Sequence, residues 1–345
     1  MTKKKGQKPV TVGFIALGCP KNIVDSEKML AEIAQAGFLI TAEPESADVV
    51  VINTCGFIAP AIDEALEAIR HAVDCKTRST VKKIIVVGCL VQRFGAELFS
   101  RTKGIDAIVN LALRDDIVKI IRKTISAEQP AVFLGSSDRM VFDDRTRLLI
   151  TPGHSAYLRI SYGCNHRCSF CTIPAIRGPF RSKPKELILA EAVELVSAGV
   201  TELNIIAQDT TNYGSDLKIR DGLSTLLKEL EKIPDLKWIR LMYLYPAGIT
   251  DELIETIANS EKIVHYLDIP IQHINNHILK RMRRPDNKER LCSTIEKLRA
   301  YLPAVVLRTT VIVGFPGETD RQFDELLEFV GSVEFDCLGC FKFYP

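Results

Sequence analysis

Three cysteines lie close together in the middle of the chain. Cys164, Cys168 and Cys171 form a C-x3-C-x2-C run. Three thiolates on one short loop can hold three irons of a 4Fe-4S cube, because thiolate is the soft ligand that such clusters need. The fourth iron then has no protein ligand nearby and is open to a small molecule. The spacing therefore predicts an iron–sulfur cluster with one open coordination site.

Two other interpretations of this run remain open. Zinc takes four ligands, usually with cysteines in two C-x2-C knuckles. His166 would supply a fourth ligand, but it lies inside the loop rather than beyond it. In the other interpretation the three cysteines bind nothing and belong to the core. The cluster interpretation is favoured because the loop offers three thiolates without a fourth ligand beyond them.

Three more cysteines each follow a predicted strand and stand next to a glycine. The pairs are Gly18-Cys19, Cys55-Gly56 and Gly88-Cys89. The carboxyl ends of parallel strands gather along one edge of a sheet, where ligands bind. Glycine there lets the backbone approach a bulky group closely. We therefore predict a second cluster with three cysteine ligands and one open iron. The alternative is three ordinary buried cysteines.

The elements that must position the second set of cysteines are short apolar runs alternating with helical patterns. The runs are β-branched, and they occupy residues 10–17, 48–54, 82–87 and, more weakly, 105–110. Apolar residues at three- and four-residue spacing between the runs predict helices. Such alternation is typical of a parallel, doubly wound sheet. We predict an α/β domain over residues 1–128 that carries Cys19, Cys55 and Cys89.

The remaining chain predicts a linker and a barrel. The pattern weakens over residues 129–150, which we interpret as a linker. Residues 151–345 contain six strand candidates separated by helical segments, at 156–162, 202–207, 238–244, 265–271, 305–315 and 338–344. Six β/α units are typical of an open (β/α)6 barrel, whose functional loops follow the carboxyl ends of the strands. The C-x3-C-x2-C run follows the first of these strands directly.

Composition limits the class of protein. The chain has 345 residues, of which 46% are hydrophobic and 26% charged, as in ordinary soluble globular proteins. A net charge of +2 gives no broad electrostatic footprint for nucleic acid. Ten cysteines without secretory features indicate a reducing compartment. No stretch reaches transmembrane length, so the prediction is a cytoplasmic protein without a membrane partner.

The C-x3-C-x2-C run, with Phe170 before its last cysteine, resembles that of the radical S-adenosyl-L-methionine (SAM) enzymes. In those enzymes the amino and carboxylate groups of SAM chelate the open iron. SAM also presents a ribose diol and a sulfonium, so amides, an arginine and a carboxylate are suitable partners. Candidates at or near barrel strand ends are Gln208, Asp209, Gln272 and Arg308. The alternative is that these residues cap loops or are satisfied inward polar groups.

Two three-cysteine sites in this order resemble the methylthiotransferases, over essentially the whole chain. The resemblance implies an enzyme that transfers sulfur-containing groups and binds two 4Fe-4S clusters. Its auxiliary cluster would be held by Cys19, Cys55 and Cys89, and its SAM cluster by Cys164, Cys168 and Cys171. Residues 17–27, 173–182 and 270–276 resemble the RimO-like branch. That branch modifies the β-carbon of an aspartate in a small-subunit ribosomal protein.

Two rival functions remain open. The tRNA-adenosine branch of the family uses the same scaffold, with a Tyr-Gly-Cys-Gln-Met-Asn pattern where this chain has Pro20-Lys21 after its cysteine. tRNA would be a partner only in that case. A less favoured rival is a non-catalytic iron–sulfur carrier, which would have no SAM pocket.

The chemistry implied by the resemblance explains the cofactors. An unactivated C–H bond offers no acidic proton, so acid–base catalysis has nothing to act on. In the family, cleaved SAM yields a radical that abstracts hydrogen from the aspartate, and the auxiliary cluster holds the methylthio group. Further implied partners are an external electron donor, such as a flavodoxin or ferredoxin, and a sulfur donor. The family normally continues into a C-terminal β-barrel, the TRAM domain, which is expected to be missing here because the sequence ends at Pro345.

Overall fold

The computed structural model describes residues 9–136 and 143–344. These residues form two compact units, one ending at Ile150 and the other beginning at Thr151. Each unit contains one six-stranded sheet in which every strand pair is parallel. The predicted α/β fold class is thereby confirmed. Among the described residues, no helix has the length and apolar character needed to cross a membrane.

The first unit is a doubly wound sheet. Its strands are β1 (Thr11–Ala16), β2 (Leu39–Thr41), β3 (Val49–Thr54), β4 (Lys83–Gly88), β5 (Ala107–Val109) and β6 (Ala131–Phe133). Its helices are α1 (Pro20–Gln35), α2 (Ala59–Arg78), α3 (Cys89–Phe94), α4 (Leu98–Arg101) and α5 (Ile117–Ser126). The strand order is β2-β1-β3-β4-β5-β6. The order reverses between β1 and β3, and ligands bind beside such a switch point in open α/β sheets.

The sequence of β3 explains why this sheet is covered on both faces. All six residues of β3 are buried. Val50 belongs to one core cluster together with Ile69 of α2, whereas Val51 belongs to another together with Ile33 of α1. Successive residues of a strand point to opposite faces, so a nearly continuous apolar run fits a strand with helices on both sides.

Part of the segment predicted as a linker belongs to the sheet. Strand β6 lies within residues 129–150 and pairs with β5. Its three residues are too few to give a periodic signal, so this strand was not predicted from the sequence. Near the end of the segment, Asp144 and Arg147 are buried against partners in the first unit. Residues 137–142 of the predicted linker lie outside the described residues.

The second unit has the topology of an open (β/α)6 barrel. Its strands are β7 (Ser155–Arg159), β8 (Ser161–Tyr162), β9 (Arg181–Ser182), β10 (Glu202–Ile206), β11 (Trp238–Leu241), β12 (Ile263–Asp268), β13 (Val306–Val313) and β14 (Cys337–Lys342). Its helices are α6 (Ile173–Arg177), α7 (Lys185–Ser197), α8 (Gly222–Leu230), α9 (Asp251–Ala258), α10 (Asn276–Arg281), α11 (Lys288–Tyr301) and α12 (Asp320–Val333). The main sheet runs β7-β10-β11-β12-β13-β14, in strict chain order.

One predicted barrel strand divides in two. The run at 156–162 forms β7 in the main sheet and then β8, which pairs antiparallel with β9. The change occurs at Ile160, whose N–H donates to Ile206 while its carbonyl accepts from Lys183. The short β8–β9 pair brings the chain to the cysteine run.

Candidate metal centres

The cysteines of the first unit lie at the carboxyl edge of its sheet. Cys19 follows β1 and is the N-cap of α1. Cys55 directly follows β3, and Cys89 directly follows β4 and begins α3. Strands β1, β3 and β4 are neighbours in the sheet. Three positions that are far apart in sequence therefore meet beside the β1–β3 switch point, as the strand pattern predicts.

Gly18 allows the first two cysteine loops to approach each other. Its φ is +95°, a backbone conformation that side-chain-bearing residues rarely adopt. A Cβ added at Gly18 would lie 2.9 Å from the Cβ of Cys55. Any larger residue would therefore push apart the loops that carry Cys19 and Cys55.

A buried amide links all three loops. Asn22 lies in the first turn of α1 and is 1% exposed. Its Nδ2 donates to the carbonyls of Leu17 and Thr54, and its Oδ1 accepts from the thiol of Cys89. Asn22 was not among the site residues predicted from the sequence. Its place three residues after Cys19, in the first turn of a helix that begins at the cysteine, is the signal that would have identified it.

The three cysteines of the second unit share one local environment. Burial raises the pKa of Cys164 to about 11 and that of Cys171 to about 12, and the neighbouring Cys168 thiol adds to both effects. The three thiols are therefore close enough for electrostatic interaction. Three converging sulfur donors fit a cluster that takes three protein ligands, and metal binding would be coupled to loss of their protons.

Gly163 fixes the start of the C-x3-C-x2-C loop. Its φ is +64°, and an added Cβ would lie 2.1 Å from the carbonyl oxygen of Pro179. The next residue, Cys164, donates its N–H to Gly178 over 3.2 Å. The loop is thus held against the backbone that precedes β9, with no space for a side chain at Gly163.

His166 and Asp209 form a contact within this loop. The Nε2 of His166 lies 2.7 Å from Oδ2 of Asp209, and the imidazole stacks on Tyr245 with ring centroids 3.9 Å apart. Since a carboxylate only accepts, Nε2–H is the donor. The other oxygen of Asp209 accepts from Thr211 at 2.6 Å. Asp209 therefore holds His166 of the cysteine loop in place, and its predicted contact with SAM remains a prediction.

Arg284 places a positive charge beside Cys168. Burial raises the pKa of Cys168, and the Arg284 guanidinium opposes that effect. Arg284 is 8% exposed, donates to Pro270 and Asp286, and lies 4.3 Å from the ring centroid of Tyr245. Neither Tyr245 nor Arg284 was predicted from the sequence to lie beside the cysteines. Nothing in the sequence distinguishes Arg284, which is buried, from the basic residues just before it.

Of the other three predicted SAM contacts, two follow barrel strands and one lies within a strand. Gln208 follows β10 and is half-buried. Gln272 follows β12 with a φ of +70°, a strained conformation for a residue other than glycine that is often found at functional sites. Arg308 lies on β13 and pairs with Asp268 at the end of β12. Their contact with SAM remains a prediction.

Two family descriptions match the chain. The Radical SAM superfamily matches residues 158–330, and a family described as Uncharacterized protein family UPF0004 matches residues 11–110. The boundaries follow the two structural units, with one cysteine set in each match.

Curated relatives cover almost the whole chain. The ribosomal protein uS12 methylthiotransferase RimO of Syntrophomonas wolfei is 44% identical over 97% of this chain and 76% of its own length. The protein of the same name from Clostridium botulinum is 46% identical over 99% of this chain and 75% of its own length.

Solved structures share the fold at much lower identity. The radical SAM methyltransferase TsrM from Kitasatospora setae has a TM-score of 0.69 at 14% identity, covering 97% of this chain and 75% of that chain. The cobalamin-dependent radical enzyme OxsB has a TM-score of 0.62, also at 14% identity, covering 94% of this chain and 52% of that chain. The family assignment depends on the close relatives and on the two cysteine sets together. The chain belongs to the RimO family of radical SAM methylthiotransferases.

Proposed function

We propose that this chain is the enzyme that adds a methylthio group to the β-carbon of an aspartate in ribosomal protein uS12. The two cysteine triplets, each at the carboxyl edge of its own parallel sheet, support methylthio transfer, and the relatives named ribosomal protein uS12 methylthiotransferase support the substrate. One triplet would provide a site for SAM activation and the other a site for the sulfur group. A non-catalytic carrier has no need for two sites of this kind.

In this proposal each triplet holds one 4Fe-4S cluster. Cys19, Cys55 and Cys89 would hold the auxiliary cluster within residues 1–128, and Cys164, Cys168 and Cys171 the SAM cluster within residues 151–345, with 129–150 between them. When bound, the clusters and SAM supply the electron-transfer and radical chemistry that side chains lack.

The chain's own residues would orient these groups. His166, held by Asp209 and stacked on Tyr245, fixes the shape of the SAM-cluster loop. We propose that Gln208, Asp209, Gln272 and Arg308 bind polar groups of SAM. The side chain of Arg308 is about one-third exposed although it pairs with Asp268, so it is not fully enclosed by this ion pair and could also bind a carboxylate of a ligand.

Two further partners belong to the proposal. Reduction of the SAM cluster needs an external electron donor, for which a flavodoxin or ferredoxin is suitable. The transferred sulfur needs a donor as well. The substrate is a macromolecule, so binding energy from contacts remote from the aspartate would help to hold its β-carbon in place.

Iron content tests the two clusters. Anaerobic reconstitution should load about eight irons per chain, as two cubes of four. Replacing Cys164, Cys168 and Cys171 by alanine should remove one cube and abolish SAM cleavage. Replacing Cys19, Cys55 and Cys89 should remove the other cube and end sulfur transfer while SAM cleavage continues. Cys75→Ala and Cys292→Ala are matched controls outside the triplets and should keep both cubes. An unchanged iron count in either triple variant would refute that site.

The substrate is tested separately. The reconstituted enzyme is incubated with uS12 and with tRNA, and each is analysed for the mass of an added methylthio group. Modification of uS12 alone supports the proposal. Modification of tRNA adenosine alone would replace it with the tRNA function.

A further inference from the structure

We propose that Asn22 is a positioning residue that fixes the spacing of the three cysteine loops of the auxiliary cluster. The inference rests on the proposed function, since it assumes that Cys19, Cys55 and Cys89 bind a cluster. Asn22 would bind no iron itself. Its role is to hold the loops in place before and after the cluster is loaded.

The contacts of the Asn22 amide reach each loop at a different point. Its Nδ2 donates to Leu17, just before Gly18-Cys19, and to Thr54, just before Cys55, both over 3.0 Å. Its Oδ1 lies 3.5 Å from Sγ of Cys89. A single side chain therefore joins the ends of β1, β3 and β4 within hydrogen-bonding distance.

The orientation of this amide is set by its partners. Carbonyl oxygens only accept, so both contacts to Leu17 and Thr54 require the NH₂ group. Turning the amide over would place Oδ1 against two carbonyl oxygens and lose both hydrogen bonds. With the NH₂ group held in this way, Oδ1 must face Cys89.

The backbone of Asn22 is also fixed by hydrogen bonds. Its backbone N–H donates to the carbonyl of Cys19 over 2.8 Å. Its own carbonyl accepts from Nδ2 of Asn53 over 3.0 Å, and Asn53 in turn donates to Ser26 over 2.9 Å. The side chain thus projects from a fixed point of α1, so the loops that it binds are fixed relative to the helix as well as to one another.

The two bonds from Nδ2 go to backbone carbonyls, so they hold the loops of Cys19 and Cys55 whether or not a cluster is bound. The contact of Oδ1 with Sγ places Cys89 against the same side chain. Groups that orient metal ligands typically change metal affinity by about 10–100-fold when removed.

Asn110 offers a matched control in the same unit. It is a buried asparagine, 5% exposed, that directly follows β5. Its Nδ2 donates to the carbonyl of Gly135 over 2.8 Å, and its Oδ1 accepts from the N–H of Gly135 over 3.0 Å. It therefore loses a similar number of hydrogen bonds on replacement by alanine, but it contacts none of the cysteine loops in these bonds.

The experiment compares Asn22→Ala and Asn110→Ala with wild type in the full chain. The first measurement is the rate at which each reconstituted protein loses iron to a chelator, followed by Mössbauer spectroscopy to separate the two clusters. Asn22→Ala should lose the auxiliary cluster about 10–100-fold faster than wild type. The second measurement is alkylation of Cys89 in the cluster-free protein, which should be faster in Asn22→Ala because its thiol loses Oδ1. Asn110→Ala should match wild type in both.

The outcomes separate this inference from the proposed function. If wild type loads about eight irons and Asn22→Ala matches it in iron loss and in Cys89 alkylation, the role of Asn22 is overturned. If wild type loads only about four irons, the auxiliary cluster itself is refuted. Should Asn22→Ala fail to fold, Asn22→Ser keeps a polar group in the first turn of α1 but is too short to span both carbonyls. The same measurements on that variant then decide.

Discussion

Arg114 is the centre of a buried charge network in the first unit, and replacing it by methionine should destabilise that unit strongly. Its Nη1 lies 3.1 Å from Asp25 on α1 and 2.7 Å from Asp144. The side chains of all three residues are at most 2% exposed. Methionine keeps much of the volume and removes the positive charge, so two carboxylates would remain buried without this guanidinium.

The expected magnitude follows from this burial. Removing one partner of a buried ion pair lowers the free energy of unfolding by about 3–5 kcal/mol, because the other charge stays buried without compensation. For a unit of this size, that corresponds to a fall in Tm of about 6–20 °C. Adding Asp144→Asn to Arg114→Met should recover part of the loss, since one of the two buried charges is then removed.

Thermal unfolding of the cluster-free protein, followed by circular dichroism, measures this effect. The control is Lys119→Met, which removes an exposed ion pair with Asp116 in the same unit. Exposed pairs contribute about 0–1 kcal/mol, so the control should shift Tm little. A loss in Arg114→Met no larger than that in Lys119→Met would refute the reasoning that this network stabilises α1.

Two further predictions concern charges elsewhere. Hydrogen bonds from Lys82 and Thr11 lower the pKa of Asp48 from 3.8 to about 2. The ionised carboxylate therefore stabilises the fold above pH 3.8, and this contribution is lost as pH falls through 2. Because Lys82 is largely exposed and screened, Asp48→Asn should cost about 1–2 kcal/mol near neutral pH and little well below pH 2, as measured by denaturant unfolding. Equal costs at both pH values would contradict this. Separately, Arg284→Met should lower the midpoint potential of the SAM cluster by on the order of 50 mV, since a nearby positive charge favours the reduced state. Potentiometric titration followed by electron paramagnetic resonance measures it, with the exposed neighbour in Arg283→Met as control. An equal potential in the two variants would exclude the charge effect.

The strands that carry the cysteines could be predicted because their signals are local. The run 48–54 is rich in β-branched residues and is followed by Cys55-Gly56. This local pattern alone predicts a buried parallel strand. The parallel order of the sheet then follows from the alternation with helices, and the convergence of Cys19, Cys55 and Cys89 follows from the parallel order. None of these steps needs a distant contact.

The parts that escaped prediction depend on distant contacts. Residues 143–147 read as a charged linker, but Arg147 forms a buried ion pair with Glu27, 120 residues earlier, and Asp144 contacts Arg114. Strands β2 and β6 have three residues each and are added at the edges of an existing sheet. Arg284 is buried against residues that precede it by 14 and 39 positions, the carbonyl of Pro270 and the ring of Tyr245. The amino-acid composition around a residue contains no information about partners that are distant in sequence.

The different sequence separations of the two cysteine triplets have a consequence for the order of assembly. Cys164, Cys168 and Cys171 lie within one short loop, so closing that loop around a cluster costs little chain entropy. Cys19, Cys55 and Cys89 meet only after β1, β3 and β4 have paired, and non-local contacts of this kind form late in folding. If the triplets hold the two clusters as proposed, the auxiliary cluster requires a folded first unit as its template, whereas the loop of Cys164, Cys168 and Cys171 needs no distant strand to bring its thiols together.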